Sequence, residues 1–369
     1  MSAEFGWSRA LTSGAFALSW IIQGVLGIVM GSLNDRFGPR LVLSICGFLL
    51  GVSYMLMSRI STVWQFYILS GVLVGVGLSG IIIPLGSTMA RWFVNKRNMM
   101  TGLGFLGVSS GVLLGSPISA LLIAEYDWRT SYLILGSIVL VIVLVTAQWL
   151  RREPPPMQNS SVNQVILQQR TEDKVRSLDL KQAIRVRQFW IVAIALFCLG
   201  FINFTIFVHI VSYATDLGIE PVIAAGIMGV VGVGCCVGGL TLSITADKIG
   251  NKNVYIIAYG LILITLFSLL FAENIVAFYV FAIFFGFAIG GCNSTQSPFI
   301  ASLFGLRAHG LIFGVLVCGF SIGATLGSLV PGYIYDTMGQ YHWAFIIDII
   351  LGFIAIMSIA VLKPIKWAN

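Results

Sequence analysis

The sequence predicts an all-α integral membrane protein made of two homologous bundles of helices. Three observations predict this class: an extreme apolar composition, eleven apolar runs of membrane-spanning length and an internal repeat. Of the 369 residues, 58% are hydrophobic and 9% are charged, and the mean hydropathy is +0.96. A soluble domain carries roughly 25% charged residues. A chain with so few charges must therefore have lipid as the solvent for most of its surface.

The apolar runs have the length of transmembrane helices. A bilayer core about 30 Å thick requires about 20 apolar residues in a helix, and helices are needed because lipid offers no hydrogen-bond partner to an open backbone. The predicted spans are 10–31, 41–58, 62–88, 99–123, 129–150, 188–214, 221–246, 253–271, 275–298, 308–332 and 343–362.

The basic residues lie in short clusters between the apolar runs, which is typical of a membrane topology and not of a surface for nucleic acid. Of the 21 Lys and Arg residues, all but Arg9, Arg59 and Arg129 fall on one side of the predicted spans. The positive-inside rule places that side in the cytoplasm. We therefore expect a multi-pass protein of the plasma (cell inner) membrane, with its C-terminus inside and Met1 outside.

One long polar stretch, 151–187, is predicted to be a cytoplasmic linker. It opens with three prolines, continues with Gln and Asn and ends in a basic segment, a composition that cannot bury a core. Residues 178–184 would form either a short helix on the inner leaflet or a solvated loop. The predicted domains are an N-terminal bundle of five spans in 1–150, this linker, and a C-terminal bundle of six spans in 188–369.

The two predicted bundles repeat each other. The segment Asp35-Arg36-Phe37-Gly38-Pro39-Arg40 recurs as Asp247-Lys248-Ile249-Gly250-Asn251-Lys252, 212 positions later. Parallel halves related about the membrane normal are typical of secondary transporters. The span 188–214 has no counterpart in the first half. The repeat thus predicts one further helix before Met1, in a truncated chain or one with a misassigned start.

The residues Gly31 to Arg40 (Gly-Ser-Leu-Asn-Asp-Arg-Phe-Gly-Pro-Arg) resemble the cytoplasmic loop signature of the major facilitator superfamily. Three further segments resemble its oxalate/formate antiporter and monocarboxylate transporter branch: Glu4-Phe5-Gly6-Trp7-Ser8-Arg9, Arg91-Trp92-Phe93 and Tyr126-Asp127-Trp128-Arg129. The resemblance covers nearly the whole chain. It implies two parallel six-helix bundles, here without the first helix. It also implies alternating-access transport of a small organic anion, with a monocarboxylate as the expected class, by proton symport or anion exchange, and H⁺ as the expected coupling ion.

The repeated loop segment is predicted to control conformation. Its glycine permits a tight turn, its aspartate can cap or pair near a helix end, and its cations can reach neighbouring helices or the anionic leaflet. Contacts made in one state and broken in the other would bias alternating access; alternatively, the cations only fix the topology. The predicted gating residues are Asp35, Arg36, Gly38, Arg40, Asp247, Lys248 and Gly250.

Two glycine ladders with i,i+4 spacing are predicted to pack helices closely, since glycines on one face let helix backbones approach each other. The same faces could also slide during transport. The ladders consist of Gly107, Gly111 and Gly115, and of Gly319, Gly323 and Gly327.

Polar side chains within spans indicate a substrate or coupling pathway. His209 could couple protons or bind an anion, or it could be a satisfied structural histidine. Asn293 and Gln296, three residues apart, share a helical face and could donate to substrate oxygens. Asp348 could act in coupling or simply reach the external interface. The predicted substrate-binding or coupling residues are His209, Asn203, Asn293, Gln296 and Gln23.

Several other classes of protein are not indicated. The sequence has no Gly-x-x-x-x-Gly-Lys-Ser/Thr loop, so an ATP-driven pump is not expected. The six cysteines lie in apolar runs and are expected to pack as small hydrophobic residues. We expect no enzyme activity, no metal, no cofactor, no nucleic acid and no obligate protein partner. The expected partners are a small-molecule solute and the lipid bilayer.

One departure from the resembled branch leaves other functions open. Members of that branch that carry organic anions often have an Arg in the second helix of the C-terminal half, and the matching position here is Gly239. The span 308–332 also contains no Lys or Arg. Efflux of a neutral or amphipathic compound is therefore the alternative function. A non-transporting sensor or an inactive fragment is the third.

The predicted topology can be tested by labelling single cysteines in a background whose six native cysteines are serines. We expect Arg40→Cys and Lys252→Cys to react with a membrane-impermeant maleimide only after the cells are permeabilised, since both lie on the predicted cytoplasmic side. Arg59→Cys serves as the external control. Labelling of Arg40→Cys and Lys252→Cys from opposite sides of the membrane would disprove the parallel repeat.

Overall fold

A computed structural model describes residues 5–7, 9–93, 96–151 and 177–363. Within these ranges, eleven helices are long and apolar enough to cross a membrane, and no residue is in a β-strand. The predicted all-α membrane fold is thereby confirmed. The helices are α1 (Arg9–Phe37), α2 (Pro39–Met57), α3 (Val63–Trp92), α4 (Arg97–Glu125), α5 (Trp128–Trp149), the short α6 (Leu180–Ala183), α7 (Arg187–Asp216), α8 (Pro221–Ile249), α9 (Asn251–Leu269), α10 (Ile275–Phe304), α11 (His309–Met338) and α12 (His342–Val361).

The third span, α3, is not a uniform helix. It begins at a capping box formed by Thr62 and Gln65 and contains the π-helical stretch Tyr67–Leu73. A Cβ at Gly71 would lie 2.8 Å from the side chain of Leu18, so this stretch packs tightly against α1. π-helical turns are rare and widen the helix locally.

The internal repeat is present in the backbone as well as in the sequence. Gly38, between α1 and α2, has φ 85°, and Gly250, between α8 and α9, has φ 86°. Each amide donates to the carbonyl four residues earlier at 3.0 Å. A positive φ of this kind favours glycine, because a Cβ would clash with the backbone. The two glycines of the loop segments therefore end one helix and start the next in the same way.

The chain forms two compact units. The first is Met1–Trp92, Gly115–Leu180 and Gly305–Ser321; the second is Phe93–Leu114, Lys181–Phe304 and Ile322–Asn369. These units differ from the predicted domains 1–150 and 188–369, because the first part of α11 packs in the first unit and the first part of α4 in the second. Glycines permit both contacts: a Cβ at Gly31 would overlap the Gly310 carbonyl, and one at Gly102 would lie 2.7 Å from Ser243 Oγ.

Most of the predicted linker, 152–176, lies outside the described residues. The part that follows contains α6 and contacts the turn between α10 and α11. Ser177 Oγ accepts the Leu306 N–H at 3.2 Å, and Asp179 pairs with Arg307 at 3.4 Å. Both charged side chains are about half exposed or more, so this pair contributes little to stability. The location of this segment on the inner leaflet stays a prediction.

Asp127 caps α5 outside the membrane-spanning segments. Its carboxylate accepts the Thr130 N–H at 2.7 Å, and its φ of 125° and ψ of 172° lie in a region that is nearly confined to glycine. The hydrogen bond from the Thr130 backbone N–H holds the pKa of Asp127 below its ordinary value of 3.8. The ionised form therefore stabilises the start of this helix.

This cap predicts a pH-dependent contribution to stability. Because the pKa of Asp127 is lower in the folded than in the unfolded state, the contribution is present above pH 3.8 and is lost as pH falls through the folded-state value. We expect Asp127→Asn to lower the Tm in detergent at neutral pH, with a difference from the native protein that closes at acidic pH. Glu125→Gln is the control at the same turn. A Tm difference that stayed constant with pH would contradict this assignment.

Candidate functional site

Asp35, near the end of α1, binds the N-terminus of α11. Its Oδ1 accepts the Gly310 N–H at 3.2 Å and its Oδ2 accepts the Leu311 N–H at 2.9 Å. Because α11 begins at His309, these N–H groups belong to the first turn and have no acceptor within their own helix. The carboxylate satisfies both and meets the positive end of the helix dipole.

The same carboxylate forms an ion pair with Arg91 at the end of α3. The distance between Arg91 Nη2 and Asp35 Oδ1 is 2.6 Å, and the two side chains are only 8% and 14% exposed. Arg91 also donates to the Leu306 carbonyl at 3.4 Å. Arg91 lies in one of the segments that resemble the transporter branch, but its partner cannot be predicted from that segment, because the pair joins residues 56 positions apart. A single Asp thus joins α1, α3 and α11.

Asp247, at the end of α8, makes the equivalent contact with α4. It accepts the backbone N–H of Asn98 at 3.1 Å, that of Met99 at 3.0 Å and the Asn98 side-chain amide at 2.9 Å. Since α4 begins at Arg97, this carboxylate also caps the first turn of a helix. In place of the arginine of the first site, the second uses the amide of Asn98. We call the two arrangements the Asp35 cap and the Asp247 cap.

The cations of the repeated segment have separate roles. Arg40 Nε donates to Gln148 Oε1 at 2.8 Å, which ties the start of α2 to the end of α5. Lys252 Nζ donates to the carbonyls of Ala360 and Leu362 at 2.8 and 2.7 Å, which ties the start of α9 to the end of α12. Arg36 stands over the ring of Phe37, and Lys248 is exposed.

The two glycine ladders differ in what they face. Cβ atoms at Gly323 and Gly327 would overlap the carbonyls of Phe197 and Phe201, so α11 lies directly against α7. Cβ atoms at Gly107, Gly111 and Gly115 would meet no described atom within 4 Å, in contrast to the predicted close packing. The reason is that the helix covering the second ladder, α7, has no equivalent among the described helices of the first half.

The five predicted substrate or coupling residues lie on three helices. Gln23 is on α1, Asn203 and His209 are on α7, and Asn293 and Gln296 are on α10. All but Asn293 are buried. Within the described ranges, no hydrogen bond joins any two of these side chains, and Gln23 Oε1 and Asn203 Oδ1 have no hydrogen-bond partner. An unpaired polar atom is costly to bury. A hydrogen bond to a polar ligand would remove that cost.

His209 and Thr205, one turn apart on α7, bind two consecutive carbonyls of α11. Thr205 Oγ1 donates to the Gly327 carbonyl at 3.2 Å, and His209 Nε2 lies 3.0 Å from the Ser328 carbonyl. Pro331 has no N–H to donate to Gly327 four residues earlier. The Thr205 hydroxyl therefore satisfies a carbonyl freed by proline, as polar side chains commonly do in membrane helices.

The hydrogen bond to Ser328 requires a proton on His209 Nε2, because a carbonyl only accepts. Nε2 therefore acts as a donor to the protein, and in the neutral ring Nδ1 would be an acceptor. This geometry is compatible both with a satisfied structural histidine and with a histidine that also contacts a ligand.

The burial of Asp348 is incompatible with one of its two predicted roles, contact with the external interface. Its exposure is 0%, so the expectation that it simply reaches the external interface is wrong. It is on α12, which packs against α7 and α9. Its position in the first third of an apolar helix could not reveal which neighbouring helices would cover it.

With this geometry established, the comparisons with known proteins decide the family. The model of the Major Facilitator Superfamily matches residues 1–272 and 227–366. The chain belongs to this superfamily. It is thus a multi-pass membrane transporter and not an enzyme.

The transporter is 26% identical to the oxalate:formate antiporter of Oxalobacter formigenes over 362 residues, which cover 95% of this chain and 82% of the antiporter. It is 24% identical to monocarboxylate transporter 13 of Rattus norvegicus over 354 residues, covering 90% of this chain and 77% of that one. The solved structure of the proton:xylose symporter XylE bound to 6-bromo-6-deoxy-D-glucose has a TM-score of 0.74 at 16% identity, covering 94% of this chain and 84% of XylE. That likeness confirms the major facilitator fold.

The Asp35 cap of the transporter should be more sensitive to neutralisation than the Asp247 cap. Asp35→Asn leaves the Arg91 guanidinium buried without its carboxylate, which typically costs about 3–5 kcal/mol. Asp247→Asn loses charge from an exposed cap, for which about 1 kcal/mol is typical. We expect a larger fall in Tm for Asp35→Asn, measured in detergent.

The control is the double variant Asp35→Asn/Arg91→Gln, which removes the unpaired cation and should recover part of the loss. Equal effects of the two single variants, or no recovery in the double variant, would contradict the buried ion pair.

Proposed function

We propose that the protein is a secondary active transporter of the plasma (cell inner) membrane that moves a small organic anion, with a monocarboxylate as its substrate. It works by proton symport or anion exchange through alternating access. The observation that carries the proposal is the similarity to the oxalate:formate antiporter over 95% of the chain. The similarity to a monocarboxylate transporter over 90% of the chain supports the same substrate class.

The two carboxylate caps serve as conformational locks in this proposal. Each joins a helix of one sequence half to a helix of the other: α1 with α11 through Asp35, and α8 with α4 through Asp247. Helix caps contribute about 1 kcal/mol each, and a buried ion pair adds to that. An alternating-access equilibrium governed by a few kcal/mol is adjustable by contacts of this size. In the proposed cycle the caps form in one state and break in the other, on the cytoplasmic side.

Donor groups on α7 and α10 suit a carboxylate substrate. The amides of Asn203, Asn293 and Gln296 each provide two N–H donors, and His209, whose Nε2 is directed at Ser328, adds an Nδ1–H donor when its ring is protonated. In the proposal such donors take the place of a buried cation, since hydrogen bonds to a charged group contribute about 1.5–3 kcal/mol each. The proposal assigns substrate binding to these residues, and the role of Gln23 on α1 stays a separate prediction.

One observation favours the alternative, efflux of a neutral or amphipathic compound. The position at which the resembled anion carriers often have Arg is Gly239. Ser294 Oγ donates to its carbonyl at 3.0 Å, and a Cβ there would lie 3.4 Å from the Gly290 carbonyl. A Cβ at this position would thus be in ordinary van der Waals contact with α10, and the glycine supplies no positive charge. A carrier without that cation could prefer an uncharged solute.

Uptake into proteoliposomes tests the proposal. We expect labelled formate, oxalate, lactate or pyruvate to accumulate when an inward proton gradient or an internal counter-anion is imposed. His209→Ala should reduce that uptake about 10–100-fold, the loss that corresponds to one hydrogen bond to a charged group. His209→Gln is the matched variant, because it keeps an N–H donor and should retain part of the activity.

The outcomes separate the candidate functions. Transport of uncharged compounds alone would support efflux and overturn the anion proposal. The absence of any flux in a folded preparation would support a non-transporting sensor or an inactive fragment.

A further inference from the structure

Asp348 is a buried carboxyl that the proposed binding site does not use. It lies six residues into α12 and has an exposure of 0%. In the described part of the chain, neither of its oxygens has a hydrogen-bond partner, and it takes part in no ion pair. An ionised carboxylate is strongly unfavourable in such a place unless it is paired. The observed surroundings therefore suit a neutral, protonated carboxyl.

The titratable groups of the helices around α12 are directed elsewhere. On α7, His209 binds the Ser328 carbonyl, and the ring of Tyr213 packs against those of Phe278, Tyr341 and Phe345. On α9, Tyr255 and Tyr259 donate to the carbonyls of Cys292 and Ala195, and Lys252 binds carbonyls at the opposite end of α12. None of these described groups neutralises the charge of Asp348.

The side chain of Thr205 on α7 lies beside the Asp348 carboxyl but makes no hydrogen bond to it. The single hydroxyl hydrogen of Thr205 is directed at the carbonyls of Phe201 and Gly327, at 3.1 and 3.2 Å. The oxygen of Thr205 is therefore left to accept a hydrogen bond. While that hydrogen stays on the two carbonyls, it is not available to stabilise an ionised Asp348, and only a protonated carboxyl could donate to the Thr205 oxygen.

We propose that Asp348 is the residue that binds the coupling proton of the transport cycle. In the conformation described here the carboxyl carries the proton, buried at the contact between α7 and α12. When α12 separates from α7, the carboxyl meets water, releases one H⁺ and becomes a carboxylate; it is reprotonated from the other side before the contact reforms. No other bond is made or broken. This inference rests on the proposed transport function, which it extends by naming the proton site.

The position of the proton can be tested on the purified protein without any substrate. Infrared difference spectra between neutral and alkaline pH should contain a C=O band of a protonated carboxyl in the native protein, and Asp348→Asn should lack it. Glu125→Gln, at an exposed carboxyl, should keep the band. Identical spectra for the native protein and Asp348→Asn would overturn the inference.

A transport assay then tests coupling. An Asn at position 348 keeps the size of the carboxyl but cannot titrate. We expect Asp348→Asn to lose proton-driven accumulation of the labelled anion by at least 10-fold, while exchange between internal and external anion continues. Accumulation that persists in Asp348→Asn would disprove the role of Asp348 and leave the transport proposal intact.

Two further variants keep the inference falsifiable if Asp348→Asn does not fold. Asp348→Glu retains a titratable group and should retain accumulation, with an altered pH profile. Thr205→Val removes the acceptor and should shift the pH at which the infrared band disappears. Unchanged pH profiles in both variants would contradict the proposal. If the native protein transports no anion at all, the proposed function is wrong. The infrared experiment still tests whether Asp348 carries a proton, because it needs no substrate.

Discussion

Backbone polar groups at the start of a helix, or four residues before a proline, have no partner within their own helix, and this need for an outside partner governs how the helices of this protein contact each other. The first turns of α11 and α4 expose N–H groups that α1 and α8 satisfy with one carboxylate each, Asp35 and Asp247. Pro331 frees a carbonyl that Thr205 satisfies. Side chains of one helix thus contact another helix where its backbone N–H or C=O groups lack a partner. When the two helices separate, all the hydrogen bonds of such a contact break together.

The carboxylates at these helix contacts differ in how their charge is balanced, and this difference bears on the proposed mechanism. The Asp35 cap includes the buried cation Arg91, whereas the Asp247 cap uses the amide of Asn98. The two related locks therefore differ in electrostatic strength, and the first should contribute more to the conformational equilibrium. At the α7–α12 contact, by contrast, no cation among the described residues pairs with Asp348, and a proton is the simplest species that can neutralise it. Charge is balanced by protein groups at the caps and, in our proposal, by the coupling ion at Asp348.

Glycines let two helices approach each other closely. The two glycine ladders have the same i,i+4 spacing, but their surroundings differ. Gly323 and Gly327 meet the carbonyls of α7, whereas Gly107, Gly111 and Gly115, at the same spacing, meet no described atom. An i,i+4 glycine pattern specifies a smooth face but not its neighbour. Likewise, Gly31 and Gly102 lie where α1 meets α11 and where α4 meets α8, so the compact units do not follow the two halves of the sequence.

The sequence by itself determined the membrane class, the number of spans and the turns at Gly38 and Gly250, because hydropathy and the need for positive φ are local properties. It also identified Asp35 and Asp247 as conformational candidates through the repeat. Only the tertiary structure decided their acceptor roles, the pairing of Asp35 with Arg91, and the complete burial of Asp348. Each depends on which helix lies opposite, and the partners are separated in sequence by 56 to 276 positions at the caps. No periodicity within one span can specify a neighbour that packing alone selects.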